Sequence, residues 1–559
     1  MSILAAALVA SAWAHPDVEY PQLAVGGKAP IESHPFAKYK VLALETELTS
    51  TTSTVPDTTS PPLECFQVAE PVPTPSELTL GEDGAGVIGE PACTVVLMEH
   101  SFVNSYGYPF VGNYTPPECD FDRVVINFTV LVKGRQYDRT GVMYLGDTEV
   151  WRTSTAEPTP YGIRWTWLKD MTPFLSLWKE PQIIIFDLEN IVNDVYTGIL
   201  NTTLTATFFQ GPVQAGRQSP ADLIIPITER TGSAGEPSQF TFPEQNATNT
   251  VSFPRNVNRA VFSVDVKGQG NEEFWWSNVP QSAVHTFEDE YGTYPGYSPW
   301  REVQILIDGQ LAGKIFLWLD DEGSITSGIV GNASTGNPII EFSQSITQNS
   351  SGGNETLDYN IAVSRSFSIS SIVVTQYGQG TAKWSQSLSY SNTGRVYAKG
   401  YGNLNTFDIT GSAEAIGPGI SYSSSYSYPL FCNSTATYAP EGNLTLWAVL
   451  DQGLNLEVIG DAVFPTGLAA FATDYSPEYQ GSVLSTWRNS TADYYRPADN
   501  SYSTGVGQTR QVFSFSGLAG EDTVNSARTR LYYRDVSAYN DTITDDHVEV
   551  TEGAVGYLK

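Results

Sequence analysis

The clearest regularity in this chain is apolar and polar alternation over short runs bounded by turn residues. Arg123-Val-Val-Ile-Asn-Phe-Thr-Val-Leu-Val132 carries it most plainly, and residues 141–145, 149–152, 182–186 and 201–209 repeat it with β-branched and aromatic side chains. Such runs predict strands. Gly146-Asp147 sits between two of them as a two-residue hairpin turn. Residues 260–267 and 302–309 begin a second set, the latter closed by Asp308-Gly309, and from about Gly323 the Ser/Tyr/Val/Thr alternation continues. No segment sustains a helical period in Ala, Leu, Glu and Lys. Closely spaced strands without intervening helices predict an all-β protein of sandwich or jelly-roll type.

With 559 residues the chain exceeds one ordinary core. Met1-Ser-Ile-Leu-Ala-Ala-Ala-Leu-Val-Ala-Ser-Ala-Trp-Ala14 is short, apolar and ends in a small-x-small cleavage pattern, so residues 1–14 read as a signal peptide, though without a basic n-region. Residues 15–62 form an N-terminal segment whose Ser/Thr/Pro-rich end, 49–62, cannot bury enough apolar surface to order itself. A first domain is expected over 63–212, a second β-sandwich over 218–450, and a β-rich C-terminal region over 451–559.

Asp and Glu outnumber Lys and Arg by 61 to 29, a net charge of -32 that repels nucleic acid and anionic membranes. Eleven Asn-x-Ser/Thr sequons support a secretory route better than the leader alone. The four cysteines lack a Cys-x-x-Cys and favour disulfides: Cys93 with Cys119, which flank one local segment, leaving Cys65 with Cys432. The mature chain is expected to be secreted and monomeric, with no membrane insertion.

There is no Gly-x-Ser-x-Gly elbow, His-Glu-x-x-His, P-loop or dinucleotide fingerprint, and the five histidines are scattered. Carboxylates and aromatics are left to carry any chemistry, and no metal or organic cofactor is implied. The densest patch is 133–158, where Tyr137-Asp138-Arg139 precedes a strand and would project at a sheet rim. Asp138 could equally be one half of a surface ion pair, and Glu149 could point to solvent. Downstream, Glu272-Glu-Phe-Trp-Trp276 sets two acids beside two tryptophans, a pairing suited to carbohydrate. Phe274 and one of Trp275 and Trp276 are also expected in a core.

Tyr106-Gly, Pro109-Phe, Asn113-Tyr-Thr-Pro-Pro117, the run 133–158, Lys169-Asp-Met-Thr172 and Tyr196-Thr-Gly198 resemble the first domain of the acidic peptide:N-glycosidases. Asn271-Glu-Glu-Phe-Trp275, Arg301-Glu, Asp308-Gly and Leu317-Trp-Leu-Asp320 resemble the second. The resemblance implies two adjacent jelly rolls that hydrolyse the amide joining asparagine to the first N-acetylglucosamine of an N-glycan, leaving aspartate and releasing a glycosylamine. Its substrates would be N-glycosylated peptides or denatured glycoproteins. The implied catalytic residues are Asp138, with Glu273 as its interdomain partner and Glu189 as a further acid. Arg139, Trp151, Arg152, Glu157, Glu272, Trp275 and Trp276 would bind substrate. The chain departs from the family where Phe316 is followed directly by Leu317, omitting a long Pro/Trp/Gly-rich stretch. A glycan-binding β-protein without catalysis is the alternative.

Overall fold

The computed structural model describes residues 6–10, 62–65, 68, 91–158, 161–210, 220–242, 244–252, 254, 262–268, 272, 275–316, 325–327, 334–335, 339–349, 356–375, 378–397, 402–418, 420–460, 481–499, 504–519, 527–540 and 542–550. Expectations for 49–61, the boundary at 211–219, Glu273, Phe274 and Leu317 lie outside them.

Eight strands build the first unit: β1 (Pro91–Phe102), β2 (Phe110–Tyr114), β3 (Arg123–Val132), β4 (Thr140–Leu145), β5 (Thr148–Ser154), β6 (Ile163–Asp170), β7 (Gln182–Leu188) and β8 (Leu200–Phe209). One sheet has the order β6-β3-β8-β1, with Leu63–Cys65 added parallel to β6. The other has the order β2-β7-β4-β5. This is the eight-stranded, double-Greek-key jelly roll. Its core follows from period-2 alternation: Val124, Ile126, Phe128, Val130 and Val132 point inward from β3 to meet Ile184, Phe186 and Leu188 of β7.

The β4–β5 hairpin turns on Gly146-Asp147 as the dipeptide predicts, with Leu145 opposite Thr148 and Gly146 at φ +58°. A bulge between Met143 and Tyr144 breaks the alternation. Both Val150 and Trp151 are consequently buried, and Trp151 packs edge-on against Phe128 and Phe186. Trp151, expected to bind substrate, is therefore corrected to a core residue.

The outer face of β2-β7-β4-β5 is covered as well. Val142, Tyr144 and Ile185 point outward yet are at most 1% exposed. The hairpin tip docks on the segment 228–238: the Asp147 carboxylate accepts from Gly232 N (2.8 Å) and Ser238 Oγ (2.9 Å). Further along, Asp265 lies within electrostatic reach of Tyr144 and Arg152. The start of the second unit thus roofs the first.

In that second unit β9 (Glu302–Ile307) and β10 (Gln310–Phe316) form a hairpin whose Asp308-Gly309 turn has φ +51° and +75°, the type I′ pattern. Ala6–Ala10, the leader-like stretch, pairs between β9 and Ala247–Asn249. The C-terminal half is an antiparallel meander: β11 (Ile339–Asn349), β12 (Thr356–Thr375), β13 (Gly378–Tyr397), β14 (Gly402–Gly417), β15 (Ile420–Tyr438), β16 (Leu444–Gly460), β17 (Gly481–Arg496), β18 (Thr504–Ala519), β19 (Ala527–Tyr539) and β20 (Thr542–Val550). Strand β16 runs straight across the expected 450/451 boundary, so no sheet ends there. A buried ion pair, Arg365 to Glu302 at 2.7 Å with side chains 3% and 0% exposed, ties β12 to β9.

Cys93 and Cys119 form the expected disulfide. The second pairing is corrected: Cys65 and Cys432 are free, because Cys65 packs on the jelly-roll core and Cys432 on a separate core in the second unit.

Candidate active site

Strands β4 and β7 are antiparallel neighbours, with Gly141 opposite Leu188. The residues just before β4 and just after β7 therefore meet at one end of the sheet. That end carries Asp138 and Arg139 just before β4 and Glu189 just after β7.

Arg139 is fixed at both backbone and side chain. Its N–H donates to Thr155 Oγ1 and its carbonyl accepts from Thr155 N, each at 2.8 Å, which prolongs the hairpin ladder by one step. Its Nη1 donates to Tyr106 Oη at 2.9 Å and its Nη2 to Gln136 Oε1 at 2.8 Å. Gln136 is fully buried, and its Nε2 donates to the Ile191 carbonyl at 2.8 Å. Asp138, between these two clamped residues, is exposed.

Glu189 is half-buried, and burial pushes its carboxyl above the usual range. The neighbouring Asp187 charge pushes the same way, while Lys267 and Arg139 oppose it. Asp187, on the outer face of β7, is likewise raised by burial. Lys267 is lowered, first by burial and then by Arg152. A mutually coupled set of Asp187, Glu189, Lys267, Arg152 and Glu149 thus occupies the seam between the units. Two carboxyls lifted by burial next to a desolvated cation are suited to holding and moving protons in mildly acidic medium.

The remaining expected residues scatter. Arg152 is paired bidentately with Glu149, Nε–Oε1 at 2.8 Å and Nη2–Oε2 at 3.0 Å. Both guanidinium and carboxylate are largely buried, so Glu149 does not face open solvent. Glu157 is exposed. Glu272 is bound by Arg301 at 2.6 Å, and that guanidinium also lies over the ring of Trp275, 5.7 Å from its centroid. Trp275 is buried and Trp276, partly buried, packs on the large-sheet core, so both of them, where one was expected, take a structural place. Among the described residues no group of three or more His, Cys, Asp or Glu is arranged to hold a metal ion.

Sequence reasoning passed over Gln136, Asp187 and Lys267, and named Tyr106 only as part of a family motif. Lys267 alone had a local signal: it is the cation immediately before Gly268-Gln-Gly270 in the sequence that leads to Glu273.

Comparison with known proteins adds three findings. Residues 75–318 match the family model of peptide N-acetyl-beta-D-glucosaminyl asparaginase amidase A, and residues 358–430 match the PNGase A C-terminal domain. The first match ends just past the junction of Phe316 and Leu317. Over 276 residues the chain is 32% identical to the peptide-N4-(N-acetyl-beta-glucosaminyl)asparagine amidase A of Prunus dulcis. That alignment covers 46% of this chain and 46% of the relative, so the chain spans about half the length of the curated relative it matches. No solved structure matches.

Proposed function

Because the chain belongs to the peptide N-acetyl-beta-D-glucosaminyl asparaginase amidase A family, we propose that it hydrolyses the amide between asparagine and the first N-acetylglucosamine of N-linked glycans. Water adds to the side-chain carbonyl carbon, the C–N bond breaks, and the nitrogen leaves with a proton as the glycosylamine. Aspartate remains in the peptide. This is amide and not glycosidic chemistry, so the carboxylate spacings of glycosidases do not govern it. Its substrates are N-glycosylated peptides and unfolded glycoproteins.

The observation that carries this reading is the convergence of Asp138, the clamped Arg139 and the half-buried Glu189 at one end of the β4–β7 pair. In this reading Asp138 is the principal catalytic carboxylate, orienting water and contacting the first sugar. Arg139, whose guanidinium Gln136 and Tyr106 hold in place, binds glycan hydroxyls. Glu189 holds a proton at mildly acidic pH and delivers it to the departing nitrogen. Glu273 supplies the partner acid from the second unit. The leader pattern, the sequons and the disulfide support a secreted protein.

Asp138→Asn keeps the shape of the side chain and removes its charge. Glycan release from a denatured glycopeptide should fall at least a hundredfold, as loss of a general acid–base group does. Full release by this variant would sink the assignment. If the wild-type protein retains the glycopeptide unchanged, it is a glycan-binding protein instead.

A further inference from the structure

Two tyrosines that no catalytic role claims stand beside the site on a turn far more rigid than its exposure suggests. Ser105-Tyr106-Gly107-Tyr108 is a type II turn: Tyr108 N donates to the Ser105 carbonyl at 2.9 Å, and Gly107 takes φ +71°. Nothing lies within 4 Å of a Cβ built on Gly107, so the backbone conformation and not crowding calls for glycine here. The turn is pinned at its base. Ser105 is buried, its Oγ donates to the Leu188 carbonyl at 2.6 Å, and its N–H donates to the Asn190 carbonyl at 3.0 Å. Those two carbonyls bracket Glu189.

From this base the rings project outward. Tyr106 is 43% exposed and Tyr108 76%, and Tyr106 Oη accepts from Arg139. The Arg139 guanidinium lies 5.8 Å from the centroid of the Tyr106 ring. An ordered backbone that holds aromatic rings in water forgoes their burial, and such exposure beside a site marks contact with a ligand. Tyrosine faces pack on the C–H faces of pyranose rings while phenol and guanidinium meet the hydroxyls. The turn hangs from the first unit, next to Arg139, on the side where the proposed function places the sugar.

We propose that the Tyr106-Gly107-Tyr108 turn is a stacking subsite for pyranose residues of the N-glycan beyond its first N-acetylglucosamine. This rests on the proposed glycan specificity of the site. Tyr108 supplies the outer ring, and Tyr106 couples the subsite to Arg139. The subsite lowers KM for extended glycans and leaves the chemical step alone.

Tyr108→Ala tests this, since so exposed a side chain can be removed without disturbing the fold. Its KM is expected to rise roughly five- to tenfold on a peptide bearing a high-mannose glycan, the equivalent of losing one stacked ring, with kcat unchanged. On the same peptide bearing a single N-acetylglucosamine neither constant should move, and Tyr108→Trp should restore KM on the long glycan. No change on either substrate, or an equal rise on both, overturns the proposal; an equal rise would place the ring against peptide or first sugar. Titration calorimetry with the free high-mannose oligosaccharide separates this idea from the activity itself. Weaker oligosaccharide binding by Tyr108→Ala, in a protein that releases no glycan, would keep the subsite and discard the amidase. Equal binding by both proteins would discard the subsite.

Discussion

Arg139 is held in part by Gln136. A fully buried carboxamide accepts from the guanidinium and from Tyr137 N while donating to the Ile191 carbonyl, so one side chain joins the loops before β4 and after β7. Gln136→Leu leaves the Ile191 carbonyl and one guanidinium edge without that partner. The loss should destabilise the fold by about 1–3 kcal/mol in chemical denaturation. Glycan release should fall further than stability alone explains; unchanged stability and activity would contradict the clamp. At this scale the position of Asp138 and Arg139 was legible, because a strand boundary read from alternation puts the preceding residues at a sheet rim. Gln136 was not, since a buried amide in a coil has the pattern of any polar loop residue. Trp151 misled for a different reason: its substrate role came from the resemblance alone, and the bulge at Met143/Tyr144 leaves both it and Val150 buried.

The hairpin β4–β5 is the element that couples the two units. Its tip meets Gly232 so closely that a Cβ there would lie 2.4 Å from the Gly146 carbonyl oxygen and 2.8 Å from Asp147 Oδ1. Both neighbours are held, one by the turn and one by hydrogen bonds, and neither can give cheaply. Gly232→Ala should therefore destabilise by roughly 1–3 kcal/mol, as overpacking does, and lower the thermal midpoint. A variant as stable as wild type would show that the tip does not dock there. Turn dipeptides made these hairpins readable in advance: Gly146-Asp147 and Asp308-Gly309 both close two-residue loops. The meander was readable only as β-structure. Alternation announces a strand without fixing its length or where its sheet ends, and β16 runs through the expected 450/451 boundary.

Across the whole molecule the seam between units is where charge, burial and pH meet. Burial raises Asp187, and burial with the Asp187 charge raises Glu189. Unfolded carboxyls release their protons near about pH 4. Above that pH the folded chain still holds these protons and the unfolded chain does not. The stability they contribute is therefore complete below the ordinary carboxylate range and is lost as pH rises through the raised values. Lys267, lowered in the fold, acts with the opposite sign over the range below the ordinary lysine value. Melting temperature should accordingly fall from mildly acidic to neutral pH, and less steeply in Asp187→Asn; parallel slopes would remove Asp187 from the account. The net charge of -32 acts in the same direction, because acid relieves self-repulsion in both proteins alike. This coupling was invisible in the sequence, since Asp187, Glu189 and Lys267 meet only when the second unit closes over the first.

The central claim, cleavage of the asparagine side-chain amide, is tested most directly by where the oxygen of water goes. A denatured N-glycopeptide is treated with the full-length protein in heavy-oxygen water at mildly acidic pH, and peptide and glycan are analysed by mass spectrometry. The account predicts aspartate at the glycosylation site carrying one heavy oxygen in its side chain, with the intact glycan released and ending in its first N-acetylglucosamine. An asparagine still bearing that N-acetylglucosamine, or a glycopeptide recovered whole, would contradict it.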